Sequence, residues 1–310
     1  MNKYLSLICL LLLLLFLSCR GSKDNAPIRV GYLQNDLHHL PLFVALDQKM
    51  FTSAGLLVEV AGIFKAGPEQ MSAFASGELD IGYVGQAPAT AAFLNRVADI
   101  KFLAQVNLEG SALVVRKKSG IKTLSALQSK IIAIPGHATM QDFLLQEALT
   151  KANFNFENIK IIVLKPPEMI QALNNNNIDA FIAWQPYPAL AEQQGGSILL
   201  SSEDICKDHP CCVLISDAAF SRKYPDKVDK IIQVHTRACQ FIHKNTDLAI
   251  TIAHRYTGMD KATIRRALTN IKYDPRLDKT KAVRFVDFLN HMRYIRAQQE
   301  PANIKTVFDQ

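Results

Sequence analysis

Ile178 to Tyr187 reads I-D-A-F-I-A-W-Q-P-Y, and this stretch decides the architecture. Its apolar run behind Asp179 has the pattern of a short strand covered on both faces in a parallel sheet. The strand stops at Trp184-Gln185-Pro186-Tyr187, because Pro186 has no N–H for the ladder and the chain turns there. Ala189 to Glu192 then favours helix. An indole, an amide and a phenol therefore gather between a strand end and a helix start, where open α/β sheets bind ligands.

The same pattern occurs earlier, at Leu79 to Pro88, L-D-I-G-Y-V-G-Q-A-P. Asp179 follows Asp80 by 99 residues, and at that offset Glu69 meets Glu168, Ala73 meets Ala172 and Gln86 meets Gln185. Each copy holds an amphipathic helix, a polar corner, a strand and a polar exit with Pro. The order predicts two similar α/β lobes, each offering a strand end and a helix start to a shared cleft. Two unrelated units in one sheet are the alternative.

The chain has 310 residues, 49% of them hydrophobic and 20% charged, an ordinary globular composition with room for two domains. Its net charge of +7 is spread out, without a Lys/Arg run, which argues against nucleic acid as a partner. Met1-Asn2-Lys3 is a short positive start. The apolar run Leu5 to Leu17 is too short to span a membrane comfortably and has the shape of a secretory signal. Ser18 before Cys19 loosely matches a bacterial lipobox, so lipid attachment at Cys19 is expected; cleavage without lipid and an uncleaved anchor remain open. The expected division is a signal peptide over 1–18, a tether over 19–26, one lobe over 27–112 and 213–310, and a second over 113–212.

Pro27 to Leu33 starts the globular part as a strand. Alternating strands and helices then imply a parallel sheet. After Ser216 the chain reads as mostly helix: Pro225 to Lys244, Thr246 to Thr257, Lys261 to Asn270 and Lys279 to Gln299. Two crossings between the lobes make a hinge suited to closing on a small ligand.

G-Y with L-P-L-F-V-A near the start, G-Y-V-G-Q-A-P, I-P-G-H-A-T, I-D-A-F followed by W-Q-P-Y, and Y-T-G-M-D together resemble a known family. The order resembles that of the substrate-binding proteins of nitrate/sulfonate/taurine-type ABC importers, a superfamily that also holds thiamine-precursor pyrimidine binders. The resemblance implies an α/β, two-lobed type II periplasmic-binding-protein fold with two doubly wound sheets joined by a two-strand hinge. It also implies an exported, monomeric protein in the periplasm or at the cell surface that delivers its ligand to ABC permease and ATPase subunits. Gln185 departs from the Glu often found there, Asn174 to Asn177 replace a Gly-containing corner, and Cys211-Cys212 has no assigned substrate.

Gln34, Asn35, Asp36 and His38 precede a helix start, where backbone N–H groups favour an anion; N-capping is the alternative. Gly136, His137 and Thr139 form the same device later, and the resemblance makes Thr139 the expected oxyanion contact. Gln86, Trp184, Gln185, Tyr187 and Cys211 complete the expected ligand set, with Trp184 either a flat wall or core. Cys206, His209, Cys211 and Cys212 fit no standard zinc spacing, so a disulfide from Cys206 or a thiol-lined cleft is preferred to a metal. No metal, cofactor or catalytic residue is expected. The ligand reads as sulfonate-like, nitrate-like or a pyrimidine. The rival readings are an enzyme resembling the yeast thiamine-pyrimidine synthase and a ligand-sensing module.

Overall fold

The computed structural model describes residues 26–154 and 158–296. The expected signal, Cys19 and nearly all of the tether lie outside the described residues.

Eleven strands among the described residues form two sheets: β1 (Ile28–Leu33), β2 (Val58–Phe64), β3 (Ile81–Gly85), β4 (Ile100–Glu109), β5 (Ser111–Arg116), β6 (Ile131–Ile134), β7 (Lys160–Val163), β8 (Ala180–Trp184), β9 (Gly196–Ser201), β10 (Pro210–Asp217) and β11 (Ile271–Tyr273). The first sheet has the order β11-β4-β10-β3-β1-β2 and the second β7-β6-β8-β5-β9. Every residue of β3 and β8 is buried, as strands covered on both faces require.

The two copies use one construction. In the first, the Asp80 carboxylate accepts from Arg29 N at 2.8 Å while Asp80 N donates to Arg29 O at 2.9 Å. In the second, Asp179 accepts from Ile131 N at 3.0 Å and donates to Ile131 O at 2.9 Å. Each Asp thus ties the entry of its own strand to the neighbouring parallel strand, with Val30 opposite Ile81 and Ile132 opposite Ala180. The helices Gly67–Ala75 and Pro166–Asn174 both place Pro in the first turn, where its missing N–H costs nothing.

The sheets are mixed, and this corrects the parallel expectation. β10 runs antiparallel to β3 and β4, and β5 runs antiparallel to β8 and β9. β5 enters the second sheet directly from β4, and β10 returns to the first sheet from β9 through only the short helix Ser202–Ile205 and a loop, so neither follows a long crossover helix. Gly110 alone separates β4 from β5, and it sits at φ +97°, a conformation that favours Gly.

The helices Pro225–Lys244 and Thr246–Thr257 occupy the expected ranges, and Gly258 caps the second in a left-handed conformation. The last described helix is Lys279–His291, shorter than expected. Its Phe285 and Phe288 meet Phe143 edge-on, at centroid distances of 4.9 and 5.4 Å. Phe143 belongs to the helix Met140–Lys151, which follows β6 of the second sheet. Edge-to-face pairs of this kind add about 0.5–1.5 kcal/mol each beyond burial.

Candidate functional site

A cavity of about 20 Å³ lies where the two sheets face one another. That is room for about one water molecule. Asp36, His38, Cys211 and Cys212 line it from the first-sheet side, and Thr139, Met140, Gln141 and Trp184 from the second. Leu33, Gly67, Gly85 and Pro88 complete the wall, and no Lys or Arg is among the lining residues.

Of the residues expected from sequence, Asp36, His38, Thr139, Trp184 and Cys211 therefore meet in one place. Gln34 is exposed and Asn35 half-buried; neither lines the cavity. His137 points outward, its ring nitrogen 3.0 Å from the Tyr294 hydroxyl. Gly136 accepts the Thr139 hydroxyl proton at 2.7 Å. Gln185 is buried beside the wall, its side-chain oxygen accepting from Ala189 N at 3.3 Å. Tyr187 packs edge-on against Trp184 at 6.0 Å and donates to Gln34 O at 3.4 Å. Gln86 is buried with no partner for either end of its amide.

The loop after β1 shapes the first side. Asp36 caps the short 3₁₀ turn Leu37–His39 by accepting from His38 N at 2.8 Å. His39 accepts from Leu33 N through Nδ1 at 3.1 Å, so its Nε2 carries the proton and faces Asp36 at 3.7 Å without a hydrogen bond. His38 Nε2 lies 3.0 Å from Gly110 O and donates to that carbonyl. This leaves Nδ1 turned toward Cys211 and Cys212, each sulfur 3.5 Å away. The three donor atoms all lie within 4.8 Å of one another.

A regular strand would send the two thiols to opposite faces. The ladder between β10 and β4 slips on both sides of Cys212, and such bulges re-aim side chains. Gly110 permits the approach of His38, since a Cβ there would overlap the imidazole. Neither the bulge nor the 173-residue separation of His38 and Cys211 is marked in the local sequence.

Burial pushes the Asp36 carboxyl up to about 7, against the pull of His38. Burial drags His38 down, but Asp36 and Cys211 outweigh it and hold the imidazole up at about 9. The hydrogen bond from Cys212 lowers the Cys211 thiol well below its ordinary range, with His38 and His209 assisting, while burial raises Cys212. His209 is also pushed up to about 9: burial opposes the shift, and contacts with Cys211 and Glu109 win.

The second side is self-contained. Thr139 caps the helix Met140–Lys151, accepting from Asp142 N at 3.2 Å. The buried Asp142 carboxylate accepts from Ala138 N at 3.0 Å. The helix start thus already holds its own hydroxyl and carboxylate, the groups an incoming oxyanion would replace. Trp184 is 3% exposed, and its indole N–H has no partner. A buried polar group left unpaired costs about 1–3 kcal/mol, so its presence beside a cavity points to completion by solvent or solute.

Of the two readings for the cysteines, the disulfide from Cys206 is not made. All four cysteines among the described residues are free, and the Cys206 sulfur instead accepts from Arg284 at 3.2 Å.

Two mixed sheets facing one another across a cleft, linked by short strand crossings, define the periplasmic-binding-protein class. The chain belongs to the NMT1-like family, whose model matches residues 21–256. A provisionally named binding protein of Brucella abortus is 28% identical over 264 residues, which are 84% of this chain and 81% of that one. A provisionally named aliphatic sulfonates-binding protein of Bacillus subtilis is 29% identical over 259 residues, covering 80% and 75%. Among solved structures, the periplasmic aliphatic sulphonate binding protein SsuA of Escherichia coli superposes with a TM-score of 0.76 at 19% identity, covering 92% and 99%. The periplasmic nitrate-binding protein NrtA of Synechocystis does so with a TM-score of 0.78 at 16% identity, covering 91% and 85%.

Proposed function

We propose that this chain is the solute-binding component of an ABC import system, exported and held at the membrane by lipid on Cys19. It captures one small solute in the cleft between two lobes and passes it to a permease driven by an ATPase. The lobes follow the sheets, one carrying β1–β4, β10 and β11 and the other β5–β9. The observation that carries this reading is the cavity walled from both sides, His38 and the cysteines opposite Thr139 and Trp184. Relatives named for sulfonate and nitrate binding support it.

The cleft chemistry narrows the solute. A sulfonate or nitrate needs fixed positive charge or free donors; this wall has no Lys or Arg, carries Asp36 with Asp142 buried just behind Thr139, and offers an anion only the Trp184 indole N–H and the His38 imidazole. The enclosed space also excludes a pyrimidine ring unless the lobes stand further apart. A small solute that accepts electron pairs suits the lining better than an oxyanion.

A thermal-shift screen of the full chain against sulfonates, nitrate, pyrimidines and divalent ions tests the reading. A solute at about 100 times its dissociation constant adds about 2.7 kcal/mol of stability. The reading predicts such a shift with one class, reduced by Trp184→Ala. A shift unaltered by substitution at Trp184 and at His38 contradicts the placement of the site.

One observation favours a second reading, chemistry at the Cys211 thiol: an acidified sulfur 3.5 Å from an imidazole is a nucleophile's arrangement. Selective alkylation of Cys211 together with turnover of a thioester or amide would favour it.

A further inference from the structure

We infer that His38 Nδ1 and the sulfurs of Cys211 and Cys212 form a site for one thiophilic metal ion, zinc(II) or copper(I), at the floor of the cleft. The first argument is geometric. Zinc binds thiolate sulfur at about 2.3 Å and imidazole nitrogen at about 2.0–2.1 Å, which in a tetrahedron sets sulfur and nitrogen about 3.6 Å apart. His38 Nδ1 lies 3.5 Å from both sulfurs. The donors thus already stand along the edges of a coordination polyhedron.

The second argument is orientation. The Nε2–H of His38 is spent on the Gly110 carbonyl, so Nδ1 is the nitrogen that faces the sulfurs. A metal-bound imidazole is held by this type of outer hydrogen bond. The bulge at Cys212 has a purpose on the same view, since without it two consecutive thiols could not reach one ion. Asp36 Oδ1 lies 3.6 Å from His38 Nδ1 and adds negative charge beside the site.

The third argument is exclusion. The cavity admits one water-sized body, which is room for an ion of this kind but not for an organic solute. No Lys or Arg on the wall repels it. Thiolate and imidazole donors select zinc or copper(I) over magnesium or calcium, which take oxygen ligands. Binding displaces the protons that His38 Nδ1 and the two thiols carry and releases them to solvent, with no change of oxidation state.

This inference names the occupant of the cleft described above, and it rests on the capture reading only for the opening that lets the ion enter. The reduced, chelator-treated full chain is given one equivalent of zinc(II), copper(I) or cobalt(II), and metal per chain is measured after gel filtration. About one ion per chain is expected, with thiolate-to-cobalt charge-transfer absorption in the cobalt sample. Competition with chelators of graded affinity separates the zinc and copper(I) arms. Cys211→Ser/Cys212→Ser and His38→Gln should each lower retention at least tenfold, whereas Cys206→Ser and Cys239→Ser should retain the ion. Circular dichroism and melting temperature establish that each variant is folded.

No retained ion in the reduced chain, or equal retention in the folded double variant, overturns the site. Small-angle scattering with and without metal separates the two claims. Retention without compaction keeps the site and removes capture by closure. Compaction with another solute and no metal retention does the reverse.

Discussion

Two buried histidines packed beside the first sheet make opposite uses of similar neighbours. His235, on the helix Pro225–Lys244, donates through Nε2 to Gln105 O at 2.8 Å and accepts from the Tyr83 hydroxyl at 3.2 Å. Cys239 lies 3.6 Å from it, with its thiol pushed up by burial. Burial lowers His235 to about 4, so it is neutral and both nitrogens are satisfied. His38 also sits beside a thiol and donates to a backbone carbonyl, yet its shift runs the other way. It faces two sulfurs, a carboxylate and a cavity. Residue type does not separate a structural histidine from a site histidine. Whether neutral partners satisfy both ring nitrogens does.

The difference can be pressed hardest by pH. His235 has a folded value below its unfolded one, so its stabilising contribution is complete above about 6.5 and is lost as pH falls toward 4. Chemical denaturation of the native chain and of His235→Gln should therefore converge by about 3 kcal/mol between pH 7 and pH 4. Parallel curves would mean that His235 is not held neutral. Gly110→Ala comes next, forcing a side chain into a left-handed backbone and against His38. A loss of about 2 kcal/mol is expected, together with weaker metal retention. Tyr83→Phe removes the donor to His235 Nδ1 and should cost about 1.5 kcal/mol while leaving the cleft's ion binding unchanged. A matching drop in binding would show that the two regions are coupled. The smallest effect is Thr139→Ala, where loss of the helix cap should lower stability by about 1 kcal/mol in urea melts.

The architecture was legible because its determinants are local. Asp80 and Asp179 announce themselves by repeating the same helix, corner and strand, and both make the same pair of backbone bonds. Pro225 and Gly258 bracket two helices at positions where only backbone chemistry matters. β10 was harder, because Cys211 to Ser216 reads as a crossing segment and becomes a strand only through pairing with β3 and β4. Of the four edge strands, β9 and β11 depend on tertiary pairing in the same way, whereas β2 and β7 carry enough β-branched residues to be read directly.

The site was half legible. Strand ends named Trp184, and the polar loop named Asp36 and His38. A thiol-lined cleft was one of the readings for Cys211 and Cys212, but alternation along a regular strand would turn the two apart, and only the bulge brings both sulfurs to His38. The resemblance makes Thr139 an oxyanion contact, and its hydroxyl also caps the helix by accepting from Asp142 N. That acidic first-turn residue was the available clue.

Trp184 is the only tryptophan in the chain and lines the cavity, so its fluorescence reports the cleft alone. Titrating the reduced chain with zinc(II) should give a saturating change complete at about one equivalent. The same titration of Cys211→Ser/Cys212→Ser should be flat. An unchanged Trp184 signal in the native chain under conditions where the ion is retained would place the ion elsewhere and contradict the account.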